Sequence, residues 1–70
     1  MALKKRSFTL SGHRTSVALE PEFWAVLDAE AAKTGASLAA LVAEIDKARG
    51  PHPLASALRL RALAAASRPS

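Results

Sequence analysis

The sequence predicts a mainly α-helical chain with one short β-strand, completed as an intertwined homodimer in which that strand and its twin form a two-stranded antiparallel ribbon. Three observations carry this expectation. A run of strand periodicity over 14–19 stands directly before two runs of helical periodicity. A strand of six residues holds no structure alone, because its N–H and C=O groups need a partner. A chain of 70 residues without cysteine has neither disulfides nor a thiolate metal site to support a small core. A second copy of the chain is the remaining source of stability.

Residues 1–13 read as a basic N-terminal arm. Within it Ser7-Phe8-Thr9-Leu10 alternates polar and apolar and is able to form an additional strand, with Ser11-Gly12 as the turn. In the main strand Thr15, Val17 and Leu19 share one face, while Arg14, Ser16 and Ala18 share the other. Glu20-Pro21-Glu22 starts the first helix, because proline loses no hydrogen bond in the first turn and acids suit the positive end of the helix dipole. Phe23, Trp24, Val26, Leu27, Ala31 and Ala32 give that helix its apolar stripe, and Gly35 closes it in the left-handed conformation.

Ser37 is the N-cap of a second helix that carries Leu38, Leu41, Val42 and Ile45 and runs to about Arg49. Gly50-Pro51-His52-Pro53 breaks the chain there. Leu54 to about Ala66 is rich in alanine and leucine and forms a third helix, with Leu54, Ala57, Leu58, Ala62 and Ala65 on its stripe and Leu60 and Leu63 off it. The division is therefore an arm over 1–13, a core unit over 14–49, a linker and C-terminal helix over 50–66, and a disordered tail over 67–70. Val17, Leu19, Trp24, Leu27, Leu41, Val42 and Ile45 are the expected dimer core, and the third helix is expected to cover apolar surface at the end of the second.

The net charge of +4 conceals a partition. Lys4, Lys5, Arg6 and Arg14 give residues 1–14 a charge of +4 with no acid among them. Six acids against Lys33, Lys47 and Arg49 give residues 15–50 a charge of −3, and Arg59, Arg61 and Arg68 give residues 51–70 a charge of +3. A basic end on a weakly acidic body fits a polyanion that approaches from that end. No run approaches the ~18 apolar residues of a membrane span. Ser7, Thr9, Ser11 and Gly12 also break any apolar stretch behind Met1–Arg6, so a soluble, cytoplasmic protein without a membrane partner is expected.

Catalysis and cofactors are not expected. His13 and His52 have no partners at ligand spacing, so neither is assigned to a metal. Glu20 with Glu22 and Glu44 with Asp46 stand two apart, which makes their side chains diverge on a helix, and no nucleophile or phosphate loop accompanies them.

The order of elements resembles the ribbon-helix-helix superfamily, the fold of the MetJ and Arc repressors. Arg14–Leu19 matches the ribbon, Pro21–Thr34 the first helix, Gly35-Ala36-Ser37 the turn, and Leu38–Arg49 the second helix. Arg14-Thr-Ser, Leu19-Glu-Pro-Glu-Phe-Trp24, Ser37-Leu-Ala-Ala-Leu-Val42, Ile45-Asp46 and Leu54-Ala-Ser-Ala-Leu-Arg59 are similar to a short bacterial subfamily described simply as the ribbon-helix-helix domain. The resemblance covers residues 14–60 and implies a dimer that places its ribbon in the DNA major groove.

On that footing Arg14, Ser16 and Ala18 are the expected base-reading set. Arginine binds guanine O6 and N7 in bidentate fashion, serine bonds to several bases, and an alanine methyl packs on a thymine methyl. Ala18 departs from the three polar side chains that such readers usually present. Lys4, Lys5 and Arg6 are expected to contact phosphate from a flexible arm. Ser37, Leu38 and Ala39 open the second helix, where free N–H groups suit phosphate oxygens, and the resemblance implies that this end clamps the DNA backbone. Phe23 and Trp24 fall at core spacing and are not assigned to base stacking.

The reading reached from sequence is a sequence-specific DNA-binding homodimer, a small transcriptional repressor that acts at the nucleoid and is able to assemble further on DNA. Two alternatives belong to other classes. One is an antitoxin whose C-terminal segment folds on a toxin, although residues 51–70 are short and alanine-rich for that role. The other is an adaptor whose ribbon no longer binds DNA.

Overall fold

The computed structural model describes residues 2–67 of the chain and orders them as two strands followed by three helices. Strands β1 (Lys4–Leu10) and β2 (His13–Leu19) form an antiparallel hairpin. Helices α1 (Pro21–Thr34), α2 (Leu38–Ala48) and α3 (Leu54–Ser67) follow. Ser67 ends α3 rather than opening a tail, and residues 68–70 of the expected tail lie outside the described residues.

The hairpin closes over two residues, Ser11 at φ 51° and Gly12 at φ 80°. Positive φ at both central positions defines the type I′ turn, whose twist matches that of the strands it joins. Register follows from it, with Leu10 opposite His13, Phe8 opposite Thr15, Arg6 opposite Val17 and Lys4 opposite Leu19. Residues 4–6, expected in a flexible arm, are thus strand, and β1 gives 14–19 an intrachain partner along its whole length. The short alternation over 7–10 understates β1 because Lys4 to Ser7 are all polar and show no period of their own.

Phe8, Leu10, Val17 and Leu19 face the helices and are buried. β1 lies over α2 and β2 over α3, while α1 packs on both of the other helices. Trp24 holds the two layers together. Its indole N–H donates to the Lys4 carbonyl at 2.8 Å, and its ring lies 6.0 Å from that of Phe8 at a 39° tilt. That contact joins the start of α1 to the far end of the hairpin.

Each helix end has a local cause. Pro21 stands in the first turn of α1, and Gly35 at φ 74° closes it in a Schellman arrangement, with Gly35 N–H on the Ala32 carbonyl and Ala36 N–H on the Ala31 carbonyl. The Ser37 hydroxyl caps α2 by accepting from Ala40 N–H at 3.0 Å. Asp46 accepts from Arg49 Nε at 2.7 Å, and Arg49 donates onward to the His52 carbonyl, which steadies the linker into α3.

α3 belongs to the core. Leu58 and Ala62 are 0% and 1% exposed, and two ion pairs tie α3 to α1 and the residue before it: Arg59 to Glu20 at 3.0 Å and Arg61 to the buried Glu30 at 3.7 Å. The guanidinium of Arg59 also lies 6.0 Å from the Phe23 ring. Val17, Leu19, Trp24, Leu27, Leu41, Val42 and Ile45, expected to need a partner chain for cover, are each no more than 6% exposed within one chain. The added strand and the added helix supply that cover.

Two tests follow from the packing. Leu58→Ala is expected to cost about 2–5 kcal/mol in urea unfolding, as for a fully buried leucine, whereas a loosely attached α3 gives a change near zero. The Glu20 carboxyl is held below the ordinary carboxylate range by a backbone hydrogen bond and then by Arg59. A depressed folded value stabilises the fold above the unfolded value and loses that contribution as pH falls through the folded one. Glu20→Gln is therefore expected to melt lower than the parent at neutral pH, with the gap closing on acidification through the carboxylate range.

Candidate nucleic-acid interface

The alternation of the hairpin sends one set of side chains to the helices and the other to solvent. Register places Lys5 beside Ala18, Ser7 beside Ser16 and Thr9 beside Arg14 on the outer face. All are exposed except the half-buried Ala18. The Ser7 and Ser16 hydroxyls lie 2.9 Å apart and share a hydrogen bond across the strands. The expected set Arg14, Ser16 and Ala18 occupies one strand of this face. Lys5, Ser7 and Thr9 complete it and escape sequence reading as a set, although the Ser11-Gly12 turn and the 7–10 alternation together contain the register.

Charge singles out Arg14. Arg6, Arg49, Arg59 and Arg61 each hold a carboxylate. Arg14 makes no ion pair among the described residues, and neither does Lys5. A guanidinium at the turn end of a polar face, beside a threonine hydroxyl and free of acids, has all its donors available.

Lys4, Lys5 and Arg6 do not act as one cluster. Lys5 points to the outer face, whereas Lys4 and Arg6 fall on the helix side of β1. Arg6 Nη1 donates to both oxygens of Asp28 at 3.0 and 3.2 Å, and its guanidinium covers the Trp24 ring at 5.0 Å. Arg6 is therefore a clamp between β1 and α1. An open cleft beside it is lined by Lys4, Lys5, Pro21, Trp24 and Ala25.

Ser37 and Ala39 are exposed at the start of α2, and Leu38 is half-buried against the core. The first helical bond at this end runs from Leu41 N–H to the Ser37 carbonyl, so the amides of Leu38 and Ala39 precede the intrahelical ladder. Among the described residues no three His, Asp or Glu side chains converge as a metal site, and no helix is long and apolar enough to cross a membrane.

The family model of the ribbon-helix-helix domain matches residues 3–66. The chain belongs to the ribbon-helix-helix domain family. The match includes β1 and α3, so both additions to the strand–helix–helix unit are part of the domain. Ribbon-helix-helix domains generally dimerise and bind DNA, as transcription regulators or antitoxins, and are typically not enzymes. No curated protein and no solved structure matches the chain.

The division of the basic residues is testable by stability alone. Arg6→Ala removes an exposed ion pair and a cation–π contact and is expected to cost about 0.5–1 kcal/mol in thermal or urea unfolding. Lys5→Ala is expected to leave the unfolding curve in place. Equal effects from the two variants contradict the assignment of Arg6 to the fold.

Proposed function

We propose that this protein is a sequence-specific DNA-binding regulator, a homodimer that represses transcription by occupying a promoter with the outer face of its ribbon. The observation that carries this reading is Arg14, the described arginine left without a carboxylate, placed on an exposed face otherwise made of hydroxyls, one lysine and one small side chain. Arginine is the side chain best matched to guanine in the major groove, and the hydroxyls around it suit phosphate and base edges alike.

Lys5 adds affinity without sequence information, and the open start of α2 at Ser37, Leu38 and Ala39 offers amides to a phosphate. Promoter occupancy needs no chemistry on the DNA, so the protein acts without a cofactor, in the cytoplasm at the nucleoid. The repressor reading is favoured over the antitoxin one because α3 is committed to the chain's own core through Leu58 and Ala62 rather than left as a segment to fold on another protein.

Binding of the full chain to a selected operator and to random duplex, measured against salt, tests the proposal. Arg14→Ala is expected to cost about 1–3 kcal/mol per lost base contact and to relax preference at defined operator positions, while random duplex loses far less. An absence of salt-dependent binding to any duplex sinks DNA binding and favours the adaptor. Uniform weakening of all duplexes by Arg14→Ala moves Arg14 from base reading to phosphate holding.

A further inference from the structure

We infer that the cleft between β1 and α1 is a binding site for a small organic phosphate, a phosphomonoester on a short apolar body. The inference stands apart from the DNA-binding reading, because it uses the helix side of the hairpin and not its outer face.

Two periodicities meet to build the cleft. Along β1, Lys4 and Arg6 stand two residues apart and so share the helix side, with Cα atoms about 6.7 Å from one another. Along α1, Pro21, Ala25 and Asp28 recur at the helical period and form one exposed line about 10 Å long. Arg6 and Asp28 meet at 3.0 Å, which sets the two lines side by side. Between them lies an open space of about 410 Å³, bordered also by Lys5 and Trp24. That volume suits a small ligand.

Charge decides the class of that ligand. Lys4, Lys5 and Arg6 line the cleft against a single acid, which leaves two positive charges in excess. The acid is already engaged, because both oxygens of Asp28 accept from Arg6 Nη1, at 3.0 and 3.2 Å. Arg6 keeps Nε and Nη2 as donors, and Lys4 makes no ion pair among the described residues. A phosphomonoester carries close to two negative charges at pH 7 and has three strong acceptor oxygens. One such group bridges Lys4 and Arg6, whereas a monocarboxylate leaves a positive charge unmatched.

The α1 wall decides the body. Pro21 has no N–H and Ala25 has no polar side-chain atom, so both offer contact without hydrogen bonds. Trp24 is not a stacking surface for the ligand. Its ring is 1% exposed, its N–H is bound to the Lys4 carbonyl, and the Arg6 guanidinium covers it at 5.0 Å. A short apolar body therefore rests on Pro21 and Ala25 while its phosphate stays at the strand. A ligand so placed bridges β1 to α1 at the end of the hairpin far from the turn.

Phenyl phosphate is the probe, titrated without DNA into the full chain. Trp24 is the chain's single tryptophan and borders the cleft, so its fluorescence reports occupancy. The parent is expected to show a saturable change with a dissociation constant below about 1 mM, and a melting temperature that rises with ligand. Inorganic phosphate and phenol each lack one half of the probe and are expected to bind at least about tenfold more weakly. Lys4→Ala keeps the backbone carbonyl that the indole holds and is expected to weaken phenyl phosphate about tenfold. Lys47→Ala removes an equal charge from the last turn of α2, outside the cleft, and is expected to leave binding unchanged. Ala25→Glu, at an exposed position of the wall, is expected to abolish binding while the melt stays cooperative. No saturable change in the parent overturns the site. Equal losses from Lys4→Ala and Lys47→Ala reduce the effect to general charge and overturn it too. Inorganic phosphate binding as tightly as phenyl phosphate overturns the apolar body and with it the ligand class. Each of these outcomes is read without duplex, so failure here is distinct from failure of DNA binding.

Discussion

The two-residue turn at Ser11-Gly12 sets the register on which every assignment of a face depends. Side chains alternate along a strand, so a slip of one residue would carry Phe8 and Leu10 to solvent and bring Ser7 and Thr9 against the helices. Positive φ at both turn positions is compatible with glycine at Gly12 and costs some strain at Ser11, and the strand twist recovers that strain by closing the ladder without splaying. The hydrophobic pattern and the turn agree on one register. From that agreement follow the apolar floor on the helices, the polar outer face and the separation of Lys5 from Lys4 and Arg6.

A second constraint is that the hairpin must be held to the helices at its open end as well as by its floor. On β1 the buried apolar residues Phe8 and Leu10 sit near the turn, while the other end begins with Lys4, Lys5 and Arg6 and has little to bury. Trp24 meets that need through one hydrogen bond to the Lys4 carbonyl, and Arg6 covers the indole from the other side while binding Asp28. A polar stretch of strand is thus fixed by contacts that a hydrophobicity pattern does not register. The same contacts remove Arg6 from the pool of cations open to a polyanion.

The helices were legible because their signals are local. Proline in the first turn of α1, glycine at its end, a serine cap on α2 and a proline-rich break before α3 each act within a few residues, and the boundaries match to one residue. The outer face of β2 was legible for the same reason, since alternation alone places Arg14, Ser16 and Ala18 together. What was not legible depends on contacts between distant residues. β1 reaches back to Lys4 because of pairing with β2 and the indole of Trp24, twenty residues away. The self-sufficiency of the core depends on Leu58 and Ala62 arriving under β2 from α3. A sequence read as strand–helix–helix asks for a partner chain to bury Val17 and Leu19, and one with a hairpin in front and a helix behind no longer does.

That shift changes what a partner chain is for. In a two-helix unit with a single strand, association supplies both the missing strand and the missing half of the core, so folding and pairing are one event. Here the core residues are covered within the chain, and what stays open is the backbone along the edges of the hairpin together with the exposed Leu3, Leu60 and Leu63. A short strand edge is a weak driving force by itself, because each backbone hydrogen bond gained replaces one to water and nets about 1 kcal/mol. In the proposed DNA-bound dimer, phosphates on both sides of one groove would meet cations on both copies and so raise the effective concentration of the second chain once the first is bound. On the proposed DNA-binding reading, a chain whose core residues are covered within one copy is one whose pairing would answer to the DNA it binds more than to the demands of its core.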